Sequence, residues 1–272
     1  MIKQIISIVL VCTLSLMFSQ NKSFVYELKF RPNAEKDSTA TERFVLDINQ
    51  GKSMFRTIKD KDADSTFHAT KRLSFMTTSF KDFKSVYKNL KLKETKKYIN
   101  NFQKLFSIKI TEDITWKIDK ETKYILGMKS QKATTSYGGR EWIAWFTDEI
   151  PLQEGPYVFQ GLPGLITEIY DQENYFQFSL IQIKKSDGEL YEKEKALSIS
   201  WKQYEMLALD YYADPTRELN TKNAGSAFAV STWVDEKGNE ITPNFKEMNE
   251  MEKKIIRLNN NQIELNHKVI YK

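Results

Sequence analysis

The 272-residue chain carries 41 basic and 36 acidic residues, a net charge of +5, with 40% apolar and 13% aromatic residues. Such a chain has enough apolar mass for a core without staples, which excludes an extended disordered polymer. Charges of both signs are interspersed, so no nucleic-acid footprint is present. The one cysteine, Cys12, falls in an apolar leader, so neither disulfides nor thiolate catalysis are expected beyond it.

Residues 1–19 read as a signal peptide. Lys3 supplies the positive start, Ile5 to Phe18 the apolar run, and Ser19 a small residue before a junction near Gln20. Cys12 follows Val9-Leu10-Val11 rather than small residues, so it reads as part of the apolar run and not as a lipid acceptor. No second long apolar run follows, which predicts a mature chain without a transmembrane helix. Lysine-rich stretches such as Lys81 to Lys97 interrupt the alternation that a lipid-facing barrel strand needs.

Past the leader, Phe24, Tyr26, Leu28 and Phe30 alternate with polar residues, as in a half-buried strand. Phe44, Leu46 and Ile48 form the next such set. The turn Asn49-Gln50-Gly51 and the return Met54 to Ile58 complete a hairpin. Lys93 to Phe106 is read as a helix. Ile114, Trp116 and Ile118, then a loop over Asp119–Thr122, then Tyr124 to Met128 predict a second hairpin. Trp142, Ala144 and Phe146 share one strand face while Ile143 and Trp145 load the other, the pattern of a strand covered on both sides. Leu165 to Tyr170, a turn over Asp171–Asn174, and Tyr175 to Ile183 predict a third hairpin, ended by Asp187-Gly188.

Two helices follow. Ser200 and Gln203 have capping-box spacing ahead of Trp201, Tyr204, Leu207 and Tyr211, and Pro215 stops that helix. Thr242-Pro243 offers an N-cap with proline at N1, ahead of a stripe of Phe245, Met248, Met251, Ile255 and Leu258. Together these elements predict one β-rich α+β domain over 20–272. Its sheet should be mostly antiparallel and curved like a half-barrel, with two helices in the C-terminal half; a two-sheet β-sandwich is the alternative.

The segment from Trp142 to Tyr170 is dense in aromatics, prolines and glycines, and contains the hexapeptide Gly161-Leu162-Pro163-Gly164-Leu165-Ile166. With TWKIDKETKYILGMKSQKAT (115–134), GREWIAWFTDEIP (139–151) and GPYVFQGLPGLI (155–166), the chain resembles the GLPGLI family of exported Bacteroidota proteins. Ser130 departs from the pattern, standing where members often carry cysteine. The resemblance implies export and suggests association with outer-membrane uptake systems; it brings no catalytic residues.

The candidates for chemistry are few. Pro163-Gly164 predicts a type II turn with positive φ at Gly164, both flanking leucines inside, and Gly161 admitting a neighbouring backbone. As a rigid lip it would make Trp142, Trp145, Tyr157, Gly161, Leu162, Pro163 and Gly164 the binding candidates. Asp60 to Asp64 has the start of a calcium loop, but Ser65 and Lys71 stand where Gly and Glu are required, so it reads as a solvated turn. His68 and His267 lack metal spacing and read as surface residues. Lys88, Lys91, Lys93, Lys96 and Lys97 read as a solvated face, with anionic lipid as the alternative.

The functional expectation is an exported periplasmic or outer-membrane-associated binding or accessory protein. It would use no cofactor or metal, and its partner would be a hydrophobic small molecule or an outer-membrane protein. The alternative is a hydrolase of glycan or peptide, using carboxylates among Asp148, Glu149, Glu154, Glu168 and Asp171.

Overall fold

The computed structural model describes residues 22–71, 83, 85–101, 104–193, 195–217, 233–234, 239–241 and 244–272. The leader with Cys12, the junction near Gln20, and the Thr242-Pro243 helix start lie outside these residues.

In chain order come β1 (Lys22–Phe30), β2 (Ala40–Asn49), β3 (Lys52–Thr57), α1 (Ile58–Thr70), β4 (Ser85–Asn89), β5 (Glu94–Asn101) and β6 (Lys104–Ile110). Then follow β7 (Lys117–Ile125), β8 (Met128–Tyr137), β9 (Arg140–Thr147), β10 (Leu165–Asp171), β11 (Phe176–Lys185) and β12 (Leu197–Ser198). α2 (Trp201–Ala213), β13 (Trp233–Val234), β14 (Glu240–Ile241), α3 (Phe245–Leu258) and a short 3₁₀ turn (Leu265–His267) complete the chain. Twelve strands form one sheet in the order β12-β6-β5-β4-β3-β2-β1-β11-β10-β9-β8-β7, antiparallel throughout except β12 on β6. Among the described residues the second sheet is the β13–β14 pair alone, and the twelve-stranded sheet is not half of a sandwich.

The alternating sets behave as expected. Phe24, Tyr26, Leu28 and Phe30 of β1, with Phe44 and Leu46 of β2, belong to one buried cluster with Phe55, Phe176 and Phe178. Trp142 and Trp145 take opposite faces of β9, and both are buried. α2 starts at a full capping box, with Gln203 N–H donating to Ser200 Oγ and Ser200 N–H donating to Gln203 Oε1.

Three expectations fail for physical reasons. Residues 94–101 and 104–106 lie in strands β5 and β6, not in a helix. Lys97 points into the core, and an inward lysine breaks the apolar alternation that would reveal a strand. The β7–β8 turn sits at Leu126-Gly127, with φ of 50° and 78°, the two left-handed residues of a type I′ turn. Residues 119–121 are instead a register irregularity within the pair. Residues 60–64 lie inside α1, not in a turn. That helix buries no side chain, so it has no apolar stripe. Thr57 caps it, and Arg56–Asp64 at 3.4 Å and Lys61–Asp47 at 2.9 Å bind it to the convex face. α3 is capped by Asn244, whose side chain accepts from Glu247 N–H.

The concave face is closed by polar contacts from the chain itself. Lys97 of β5 and Tyr137 of β8 stand third and eleventh in the strand order, yet both bind Glu264. Lys97 Nζ donates to Oε2 at 2.8 Å and the Tyr137 hydroxyl to Oε1 at 2.9 Å; the Tyr157 hydroxyl also donates to Oε1. Gly138 at the β8–β9 turn lets the Glu264 backbone pass, since a Cβ there would lie 3.1 Å from Glu264 Cα. Arg140 holds the same tail segment through Ile263 O at 3.0 Å, Gln262 O at 2.7 Å and Asn261 Oδ1 at 2.6 Å, while pairing with Asp171 at 2.9 Å.

Burial alone would push the Glu264 carboxyl up. The Lys97 charge and the donated hydrogen bonds from Lys97, Tyr157 and Tyr137 outweigh it and hold the group below the usual carboxylate range. A carboxyl depressed on folding binds fewer protons folded than unfolded. Its contribution is therefore complete above its unfolded pKa and is lost as the pH falls through the folded one. Glu264→Gln is expected to cost about 3–5 kcal/mol at pH 7, because it takes the carboxylate out of a buried ion pair with Lys97 that the Tyr137 and Tyr157 hydroxyls also bind. The gap between parent and variant in urea unfolding should narrow as the pH drops below about 4.3. A pH-independent gap would disprove this account of the closure.

Candidate functional site

The loop from Ile150 to Gly164 joins β9 to β10 and fills the concave side. Leu162, Leu165, Tyr157, Val158 and Phe159 are buried, with Phe159 packed on Trp142 at 4.7 Å between ring centroids. Lys88 of β4, fully buried, spans from the opposite side. Its Nζ donates to Gly155 O at 2.7 Å and to Phe159 O at 3.4 Å, and pairs with Glu154 at 2.6 Å. Burial holds the Lys88 amine below its usual range, against the pull of Glu154. The expected solvated face of Lys88 to Lys97 is therefore split. Lys88 and Lys97 are inside, whereas Lys91 and Lys93 are exposed.

The two glycines of the hexapeptide exchange their expected parts. Gly161 has φ +93°, and a Cβ there would stand at ordinary contact distance, 4.0 Å from Trp116 Nε1. Gly164 has no positive φ, so Pro163-Gly164 is not a type II turn. A Cβ on Gly164 would lie 2.0 Å from Thr147 O, so close backbone approach accounts for that glycine. Tyr157 holds a left-handed φ of 54°, unusual for a bulky residue, where its ring meets Phe83 at 4.8 Å and its hydroxyl meets Glu264. Of the seven candidate residues only Gly161 and Pro163 are exposed; Trp142, Trp145, Tyr157, Leu162 and Gly164 are buried. Trp145 lies on the convex face under Lys123 (4.3 Å from the ring centroid) and Lys132 (6.0 Å). Ser130, at the position of the departure from the family pattern, is buried and shares a 3.1 Å hydrogen bond with Thr167.

The candidate carboxylates are spread over several partners. Glu154 pairs with Lys88, Glu168 with Lys123, and Asp171 with Arg140; Glu149 accepts from Lys129 N–H, and Asp148 is exposed. His68 is exposed, and His267 is half-buried, stacked on Trp201 at 4.2 Å, where burial holds its imidazole below the usual range. Among the described residues no cluster of metal-type ligands occurs, and no helix is long and apolar enough to cross a membrane.

The convex side carries an open groove of about 1060 Å³. It is framed by the β2–β3 turn (Asn49, Gln50, Lys52), the β4–β5 turn (Asn89, Lys91, Leu92), Leu105 of β6, the end of α1 (Phe67, His68), and residues 188–193 and 195. The last segment is pinned from beneath. Asn49 Nδ2 donates to Gly188 O at 2.8 Å, Arg56 Nη1 to Leu190 O, and Leu190 packs with Met54, Tyr87 and Tyr98. Tyr191, at φ 53°, lies between His68 (4.8 Å from ring to ring) and the Arg56 guanidinium (5.2 Å). Lys52 pairs with Glu192 at 2.7 Å and Lys193 with Asp64. The sequence held no signal for this groove, because its parts are turns and helix ends far apart in the chain.

The family model described as "Protein of unknown function (Porph_ging)" matches residues 138–168, the β8–β9 turn through the loop into β10. No curated protein matches the chain. Two crystal forms of PNGF-II share the fold, each at TM-score 0.50 and 18% identity over 69% of this chain. The chain spans about a third of the length of those structures, 32% and 33%. A LolA superfamily protein from Nitrosomonas europaea superposes only loosely, at TM-score 0.29 and 7% identity over 65% of this chain and 91% of its own.

The glycine geometry yields a reversal that can be measured. Gly164→Ala is expected to cost about 3 kcal/mol in urea unfolding, by driving β9 off the loop. Gly161→Ala should cost about 1–2 kcal/mol from its backbone region alone. Gly164→Asn should be at least as damaging as Gly164→Ala; relief by asparagine would mean that the position does need a left-handed backbone after all.

Proposed function

We propose that the chain is an exported binding or accessory protein of the periplasm or outer membrane, a member of the GLPGLI family, and that it acts without catalysis. The observation that carries this reading is the groove of about 1060 Å³, a ligand-sized opening with exposed apolar side chains at its edges. Phe67 is 42% exposed and Leu92 is 72% exposed, a placement that water does not favour. The concave side is filled by Tyr157, Phe159 and Leu162, so this reading puts the ligand on the convex face. The pairing of Glu154, Glu168 and Asp171 with cations weighs against the hydrolase reading, because an acid–base pair needs carboxyls free to exchange protons.

The second reading, docking to an outer-membrane protein, is supported by the exposed pair Gly161 and Pro163. They form a small lip anchored by Trp116 Nε1–H donating to Gln160 O at 2.8 Å. Native mass spectrometry of protein purified from its own periplasm separates the two. A co-purifying apolar small molecule, lost from a Phe67→Ser/Leu92→Ser variant, is the expected result. A ligand-free chain with a stable protein partner would move the assignment to docking, and turnover of a glycan or peptide substrate would overturn both.

A further inference from the structure

Resting on the binding reading, we propose that the convex groove takes an anionic amphiphile, a single apolar chain with a negatively charged head. Two independent features of the lining point there. The first is charge. The groove is lined by Lys52, Lys91, Lys193 and Lys195 against Glu189 and Glu192. Glu192 is used by Lys52, and Asp64, from α1, is used by Lys193. Among the described residues Lys91 and Lys195 make no ion pair, and neither does the lining carboxylate Glu189. The Lys91 stem is laid across the β2–β3 turn, with its Cε 3.5 Å from where a Cβ on Gly51 would stand. Glycine at 51, at φ +82°, thus leaves the space in which Lys91 lies against the groove.

The second feature is apolar surface beside those cations. Leu92 follows Lys91 directly, and Phe67 stands on the α1 side of the same opening. Leu105 and Leu190 line it as well, Leu190 buried and Leu105 half-buried. A purely ionic ligand would leave Leu92 and Phe67 in water, and a neutral lipid would leave Lys91 and Lys195 without a counter-charge. An amphiphile with an anionic head satisfies both at once.

Isothermal titration of the full chain with submicellar sodium dodecanoate, dodecyl phosphate, dodecyl maltoside and sodium acetate tests this. One of the two anionic chains should bind about tenfold tighter than the maltoside, as expected for charge-assisted contacts, and acetate should give no heat. Whichever anion leads identifies a carboxylate or a phosphate head as the source. Lys91→Gln/Lys195→Gln should erase that preference without changing maltoside affinity, and added salt should shrink it in the parent. Equal binding of maltoside and the anions would overturn the anionic head while leaving the apolar binding reading in place. Acetate binding alone would overturn the amphiphile. No binding of any chain by protein with a native unfolding curve would overturn this proposal and the groove as the ligand site.

Discussion

One carboxylate sets the shape of this molecule. An open twelve-stranded sheet has no intrinsic reason to bring its third and eleventh strands together, yet Lys97 of β5 and Tyr137 of β8 both bind Glu264. The strand twist supplies the curl and the C-terminal segment supplies the clasp. The arrangement is costly to break, because removing any one member takes a charge-assisted hydrogen bond from another buried polar group. It also orders the rest. Tyr157 is drawn into a left-handed backbone to reach the same carboxylate, and the loop that carries it fills the concavity with Phe159 and Leu162.

Lys88, Arg140 and Arg56 repeat this logic. Each is buried, and each binds backbone carbonyls of an irregular segment as well as a carboxylate: Lys88 the aromatic loop, Arg140 the C-terminal tail, Arg56 residues 189–190. Irregular segments expose carbonyls that no ladder satisfies, and a buried cation satisfies several at once. Strands thus fix loops whose own sequences hold little regular structure. Among the described residues, turns and a helix end on the convex side leave an open groove between them.

Much of the architecture was readable from residues alone. The alternation in β1 and β2, the turns at Asn49–Gly51 and Asp171–Asn174, and the Ser200 capping box are local signals, because neighbours in sequence are neighbours in these structures. So was the β-rich, mostly antiparallel, curved class. Three of the failures share one cause. Lys97 concealed β5 because its burial depends on Glu264, 167 residues away. α1 concealed itself because ion pairs to Arg56, Asp47 and Lys193 hold it in place of an apolar stripe. Gly164 concealed its role because the atom it makes room for, Thr147 O, belongs to another strand.

The sequence by itself determined which segments are strands wherever burial follows hydrophobicity, and it marked the glycine-rich hexapeptide as a place of tight geometry. Tertiary structure decided which lysines are buried, what each glycine is for, which way the aromatic loop faces, and where a ligand-sized groove opens. The division is physical. Apolar periodicity is a property of adjacent residues, whereas the desolvation of a charge and the close approach of two backbones are set by partners that only the closed sheet brings into contact.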